Sequence, residues 1–166
     1  MSAAEFEHER AEHPVDVVER LASINAWSFD REDEDEISIS VEGGWTSYHI
    51  AFTWLAEMEA LHVACAFDLK VPDRRRGEIL ALIALINEQM WVGHFDLWTT
   101  DHVIMFRQAL TLAGGAGASQ QQCEAALSHA VTACERYYQA FQFVVWAGKS
   151  AREALDGAMF ETVGEA

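Results

Sequence analysis

The sequence predicts an α+β domain: an antiparallel sheet of about five strands with helices packed on it. Three observations lead there. Apolar and polar residues alternate through Ile37, Ile39 and Val41 and again through Tyr48, Ile50, Phe52 and Trp54, the period of a half-buried strand. Ile79, Leu82, Ile83 and Ile86 recur at helical spacing, as for a helix lying on a sheet. The strands come in consecutive groups, giving the order αβββαββα, whereas a doubly wound fold alternates them singly with helices.

A chain of 166 residues that is 51% hydrophobic supports one domain with a substantial core. It is assigned to residues 14–148, between a disordered acidic N-terminus (1–13) and a weakly structured C-terminal tail (149–166). There is no uninterrupted apolar run of about 18 residues, so no membrane span is expected. The opening residues lack the apolar stretch of a secretory signal, and the expected location is the cytoplasm. The net charge of −16 weighs against nucleic acid and against anionic membrane surfaces, because both require a basic face. The first 42 residues hold 13 of the 27 acidic side chains. Three cysteines make no disulfide framework: Cys123 and Cys134 lie roughly 16 Å apart along one helix, and Cys65 reads as a small buried hydrophobe.

The first helix is expected from Pro14 to Ala26, with proline in its first turn and Val17, Val18, Leu21 and Ile24 as its stripe. The acidic run Asp30–Glu36 reads as a solvated, self-repelling loop. Gly43-Gly44 suits a tight hairpin turn because glycine reaches positive φ freely. Residues 54–66 satisfy both periods, and a strand from about Ala60 to Leu69 is preferred over a helix. Asp73 is placed to cap a helix over Arg74–Val92, whose stripe extends to Met90 and Trp91. Two strands follow, near His94–Thr99 and His102–Leu112. A long helix over Ser119–Ala147 carries a heptad-like seam through Leu127, Val131, Cys134, Tyr138, Phe141 and Val145.

No catalytic set emerges. The seven histidines have no His-x-x-x-His or His-Glu-x-x-His spacing, and His49 and His62 meet only if their strands are neighbours. There is no nucleophile elbow, and the glycines at 114–117 lack the Lys-Ser/Thr ending of a phosphate loop. No metal site and no cofactor are expected. Arg74-Arg75-Arg76 is the one basic cluster, and solvated arginines with buried stems explain it better than an anion site. Most of the six tryptophans are expected in the core. Trp45 and Trp98 fall out of phase with their strands and are candidates for an aromatic patch on the other sheet face, unless both faces are covered within one subunit.

The segment NEQMWVGHFDLWTTDHVIMFRQALTLAGG resembles the YbjN family. That family has an Asn near a helix end, a Gly-x-Phe strand and a strand with a Phe-Arg pair; Asn87, Gly93, Phe95, Phe106 and Arg107 match. The upstream helix, glycine turn and aromatic strand WTSYHIAFTW match as well, so the likeness spans roughly residues 14–148. The resemblance implies a sensory transduction regulator with a fold similar to type III secretion chaperones, small acidic homodimers that hold extended segments of partner proteins. It brings no catalytic residues. The resulting expectation is a non-enzymatic, homodimeric protein that binds a polypeptide partner through a sheet face or helix groove, with Trp45, Trp98 and Arg107 as contacts. The alternative is a small-molecule- or metal-responsive regulator with a pocket lined by His49, His62 and aromatics.

Overall fold

The computed structural model describes residues 10–164, with side chains as far as Phe160. The helices are α1 (Pro14–Ile24), α2 (Arg76–Asn87), α3 (Gln120–Val145) and α4 (Ala151–Gly164). The strands are β1 (Ser28–Asp33), β2 (Glu36–Glu42), β3 (Ser47–Leu55), β4 (Ala60–Lys70), β5 (His94–Trp98) and β6 (Val103–Thr111). They form one antiparallel sheet in the order β1-β2-β3-β4-β6-β5. The α+β class holds, with six strands where about five were expected, and residues 60–70 are strand.

The additional strand is β1, where the acidic run predicts a solvated loop. Its residues Ser-Phe-Asp-Arg-Glu-Asp place few apolar side chains inward, so alternation is hard to see. Pairing with β2 (Phe29 opposite Ile39) creates the strand. Arg31 then holds the turn together: its guanidinium donates to the carbonyls of Asp33 and Glu34, both at 2.6 Å, and to the Asp16 carboxylate of α1 at 3.0 Å. Carboxylates mass here because an edge strand bearing charge resists pairing with other chains.

The helices lie on one face of the sheet. Their shared interior is an aromatic cluster in which Phe67 and Phe95 each touch Phe141 edge-on, at centroid distances of 5.4 and 5.3 Å. Phe106, Tyr137 and Tyr138 complete it. Edge-to-face contacts set the positive ring edge against the negative π face, adding to the burial itself. The α3 seam faces this cluster as expected. Ser119 caps α3 in a reciprocal box with Gln122, at 3.0 and 2.8 Å.

Several expectations are corrected. The C-terminal residues are no loose tail: α4 docks on α2 and α3 through buried Ala151, Ala154, Leu155 and Ala158, so the folded unit passes residue 148. Small alanines gave little hydrophobic signal, yet they permit close helix packing. Of the N-terminal segment expected to be disordered, residues 1–9 lie outside the described residues. Arg10 is held in place, bonded to the Glu59 carboxylate at 2.7 Å and stacked 4.6 Å over the Trp54 ring. Helix α2 ends at Asn87, and a 3-10 turn at Asp73–Arg75 precedes it with no side-chain cap from Asp73. Arg75 is no free cation, since it donates to the carbonyls of Val144 (2.8 Å) and Lys149 (2.7 Å) and so caps the end of α3.

The tryptophans depart from expectation too. Trp54 is buried, whereas Trp45, Trp91, Trp98 and Trp146 are exposed, Trp91 to 99%. Gly43 is needed for space, its φ being negative: a methyl group there would overlap Glu135 and the Tyr48 ring. Gly93 needs both space and conformation, with φ +75° and the Phe106 ring directly above.

Gly93→Ala should lower stability by more than about 1 kcal/mol, measured by urea denaturation, since strain and overlap act together. Leu155→Ala should cost about 2–5 kcal/mol if α4 belongs to the core. A frayed tail would keep that change below about 0.5 kcal/mol.

Candidate functional site

With every described helix on one side, the opposite face of the sheet is left open by the described residues. Register places Ala51, Ala64, Ala66 and Ala109 in its middle as a shallow trough of small side chains. Ser40 and His49 stand on one flank, with Ser40 Oγ 2.9 Å from His49 Nδ1. Arg107 stands on the other. It is directly opposite Ala64 on β4 and His94 on β5.

Arg107 organises its surroundings. Its Nε donates to His62 Nε2 at 3.1 Å, and one terminal nitrogen reaches Asp96 Oδ2 at 3.5 Å. The Arg107–Asp96 pair is partly exposed and contributes little to stability. It fixes the direction of the guanidinium. His62, Trp91, His94 and Arg107 border a cavity of about 540 Å³ beside the β5–β6 junction.

Burial, then the charge of Arg107, then that of His94 hold the His62 imidazole below its ordinary value of 6.5. The hydrogen bond has the same consequence: Nε2 accepts from arginine, so protonation there would break it.

The three candidate contact residues do not share one patch. Arg107 is on the open face. Trp98 is on the same face at its corner, 42% exposed, opposite Val103 of β6. Trp45 sits in the β2–β3 turn, where its backbone N–H donates to Glu135 Oε1 of α3 at 3.4 Å. His49 and His62 occupy adjacent strands as expected. However, His49 pairs with Ala66, four residues from His62 and roughly 13 Å along the strand. Among the described residues no three His, Cys, Asp or Glu side chains converge as metal ligands. The three cysteines are buried and free.

Sequence reasoning passed over Asp96 and undervalued His94. Both were readable, because Phe95 and Leu97 point inward and alternation sends His94, Asp96 and Trp98 to the other face. Trp91 could not be found that way, because it follows the end of a helix whose apolar periodicity continues through it in the sequence.

The model of the YbjN family, "Putative bacterial sensory transduction regulator", matches residues 14–143. The chain belongs to the YbjN family. Its fold is similar to a chain of the ExsC–ExsE complex, with TM-score 0.54 and 18% identity, covering 74% of this chain and 88% of that one. It is also similar to YbjN from E. coli, with TM-score 0.50 and 12% identity, covering 75% and 93%. No curated protein matches the sequence. Among the described residues no helix is long and apolar enough to cross a membrane. The five family-matching positions have clear structural roles: Asn87 bonds both backbone groups of Phe95 (2.8 and 3.0 Å), Gly93 makes room for Phe106, and Arg107 holds His62.

A histidine with a lowered folded pKa stabilises the protein above the unfolded value and loses that contribution as pH falls from about 6.5 through the folded pKa. Wild type should therefore lose more stability than His62→Gln between about pH 7.5 and pH 5, read by urea melts. Parallel pH profiles for the two proteins would contradict this assignment.

Proposed function

We propose that this YbjN-family chain is a non-enzymatic, cytoplasmic regulatory protein that binds a polypeptide partner in a chaperone-like manner, as a homodimer. The observation that carries the reading is the open sheet face. The described residues, many of them large and apolar, cover only one side of the sheet, and leave on the other an alanine trough bordered by Arg107 and His62, with Trp98 at the corner of the same face. Small residues admit a backbone closely, while arginine and tryptophan are side chains that often dominate binding energy at interfaces. Family membership supports a regulatory role. A fold neighbour from the ExsC–ExsE complex supports a polypeptide as the partner. Trp45, in the turn beside α3, would contact a partner only if that partner wraps past the sheet end.

A second reading is favoured by one observation, the cavity of about 540 Å³ at His62, Trp91, His94 and Arg107, which lies within the size range of small-molecule sites. It would make the chain a ligand-responsive regulator. His49 lies outside that cavity.

Light scattering on the full chain should give the mass of a dimer. Affinity capture with Trp98→Ala or Arg107→Ala should recover a polypeptide partner at least about fivefold less well than wild type, because each removes an interface anchor of about 1 kcal/mol or more. A strict monomer whose captured proteins are unchanged by either substitution would defeat the polypeptide reading. A melting shift with small metabolites and none with polypeptides would favour the second.

A further inference from the structure

Among the described residues the sheet ends in the strands β1 and β5, and both of these edges are guarded. Along β1 the edge residues are charged and Arg31 ties down the turn. Along β5 side chains occupy three of the four outward backbone groups of Phe95 and Leu97: Asn87 bonds both N–H and C=O of Phe95, and Asp96 Oδ1 accepts from Leu97 N–H at 3.0 Å. A further stretch of edge arises because β5 is short. It pairs with β6 only from Val103 to Arg107, so β6 continues uncovered to Thr111.

The phase of the β4–β6 ladder fixes which groups are left. Leu112 N–H donates to Glu59 O at 2.7 Å, and the register runs Leu110 to Leu61 and Gln108 to Val63. In an antiparallel ladder these alternate residues turn their N–H and C=O toward β4. Ala109 and Thr111 therefore turn theirs outward, beyond the start of β5, where no described backbone pairs with them. Both residues are exposed.

A cavity lies on each side of this bare edge. On the open face is the one at Trp91, His94 and Arg107. On the helix side is a groove of about 250 Å³ bordered by Val63, Val92, Leu110, Ala125, Ala126 and His129. Neither is lined by Asp or Glu, in a chain that has 27 of them. A strand laid on this edge would send alternate side chains into the two cavities.

We infer that the bare β6 edge at Ala109–Thr111 receives an extended segment of a partner polypeptide as an added antiparallel strand. The segment has acidic residues opposite Ala109 and Thr111, facing Arg107 and the histidines, and an apolar residue opposite Leu110 in the helix-side groove. Ala109 and Thr111 would each exchange two hydrogen bonds with the residue opposite. The inference rests on the polypeptide reading above and specifies its site.

The test uses the full-length protein and a fluorescein-labelled nonapeptide alternating valine and glutamate. Amide hydrogen exchange by NMR should find the N–H groups of Ala109 and Thr111 open in the free protein and protected with the peptide. Methylating the glutamate amides should weaken binding, read by anisotropy, at least about tenfold, whereas methylating the valine amides should leave it nearly unchanged. A lysine-for-glutamate peptide should bind about tenfold more weakly. Ala109→Pro, which deletes an N–H that β4 does not use, should abolish binding with the far-UV spectrum retained. Protection of these amides in the free protein would overturn the inference, because the edge would then be covered by the chain itself or a second copy. So would an absence of peptide binding, or binding without that protection. If a partner is captured through Trp98 and Arg107 while these amides stay open, the inference fails and the polypeptide function stands. If mutation of Trp98 or Arg107 changes no capture and the peptide does not bind, both fail.

Discussion

The position of β6 between β4 and β5 is the constraint on which the rest of the molecule depends. That pairing joins the first half of the chain to the second, setting Cys65 against Phe106 and Ala64 against Arg107. On the helix side it brings Phe67, Phe95 and Phe106 under α3, where Phe141, Tyr137 and Tyr138 close the aromatic cluster. On the open side it carries Arg107 to His62. A one-residue slip would exchange the two faces, burying arginine and exposing phenylalanine, so the register is strongly specified.

The same arrangement explains why the edges differ. A strand of five residues cannot cover a partner of nine, and Gly93 turns the chain away at the point where Phe106 leaves no room for a side chain. The protein closes the edges of β1 and β5 with charge and with Asn87, yet leaves the end of β6 bare between two cavities. Since unpaired edges invite association, one left open beside cavities free of carboxylates stands apart from the two that are closed.

Legibility followed periodicity. Strands β2 and β3 were readable because Ile37, Ile39, Tyr48, Ile50 and Phe52 alternate cleanly against polar residues, and α3 because its seam is long. Strand β1 was missed because edge strands answer to charge more than to burial. Helix α4 was missed because it packs through alanines, whose contribution is the closeness they permit. Trp91 misled because its helical phase continued past the point where Asn87 turns to cap Phe95. Of the candidate contacts, Trp98 and Arg107 reached the open face while Trp45 went to a turn, since being out of phase places a residue on a face only if it belongs to the strand.

The sequence by itself determined the α+β class, the family, most of the strands and the inward face of each, because these follow from local alternation, helical spacing and a few shape-demanding residues such as Gly93. Only the tertiary structure decided that the described helices choose one side, that Arg107 meets His62, and that the β1 and β5 edges are guarded while the end of β6 is bare. Those outcomes depend on which strand lies beside which and in what register. For His62 and Arg107 that information joins residues 45 positions apart, and no local pattern carries it.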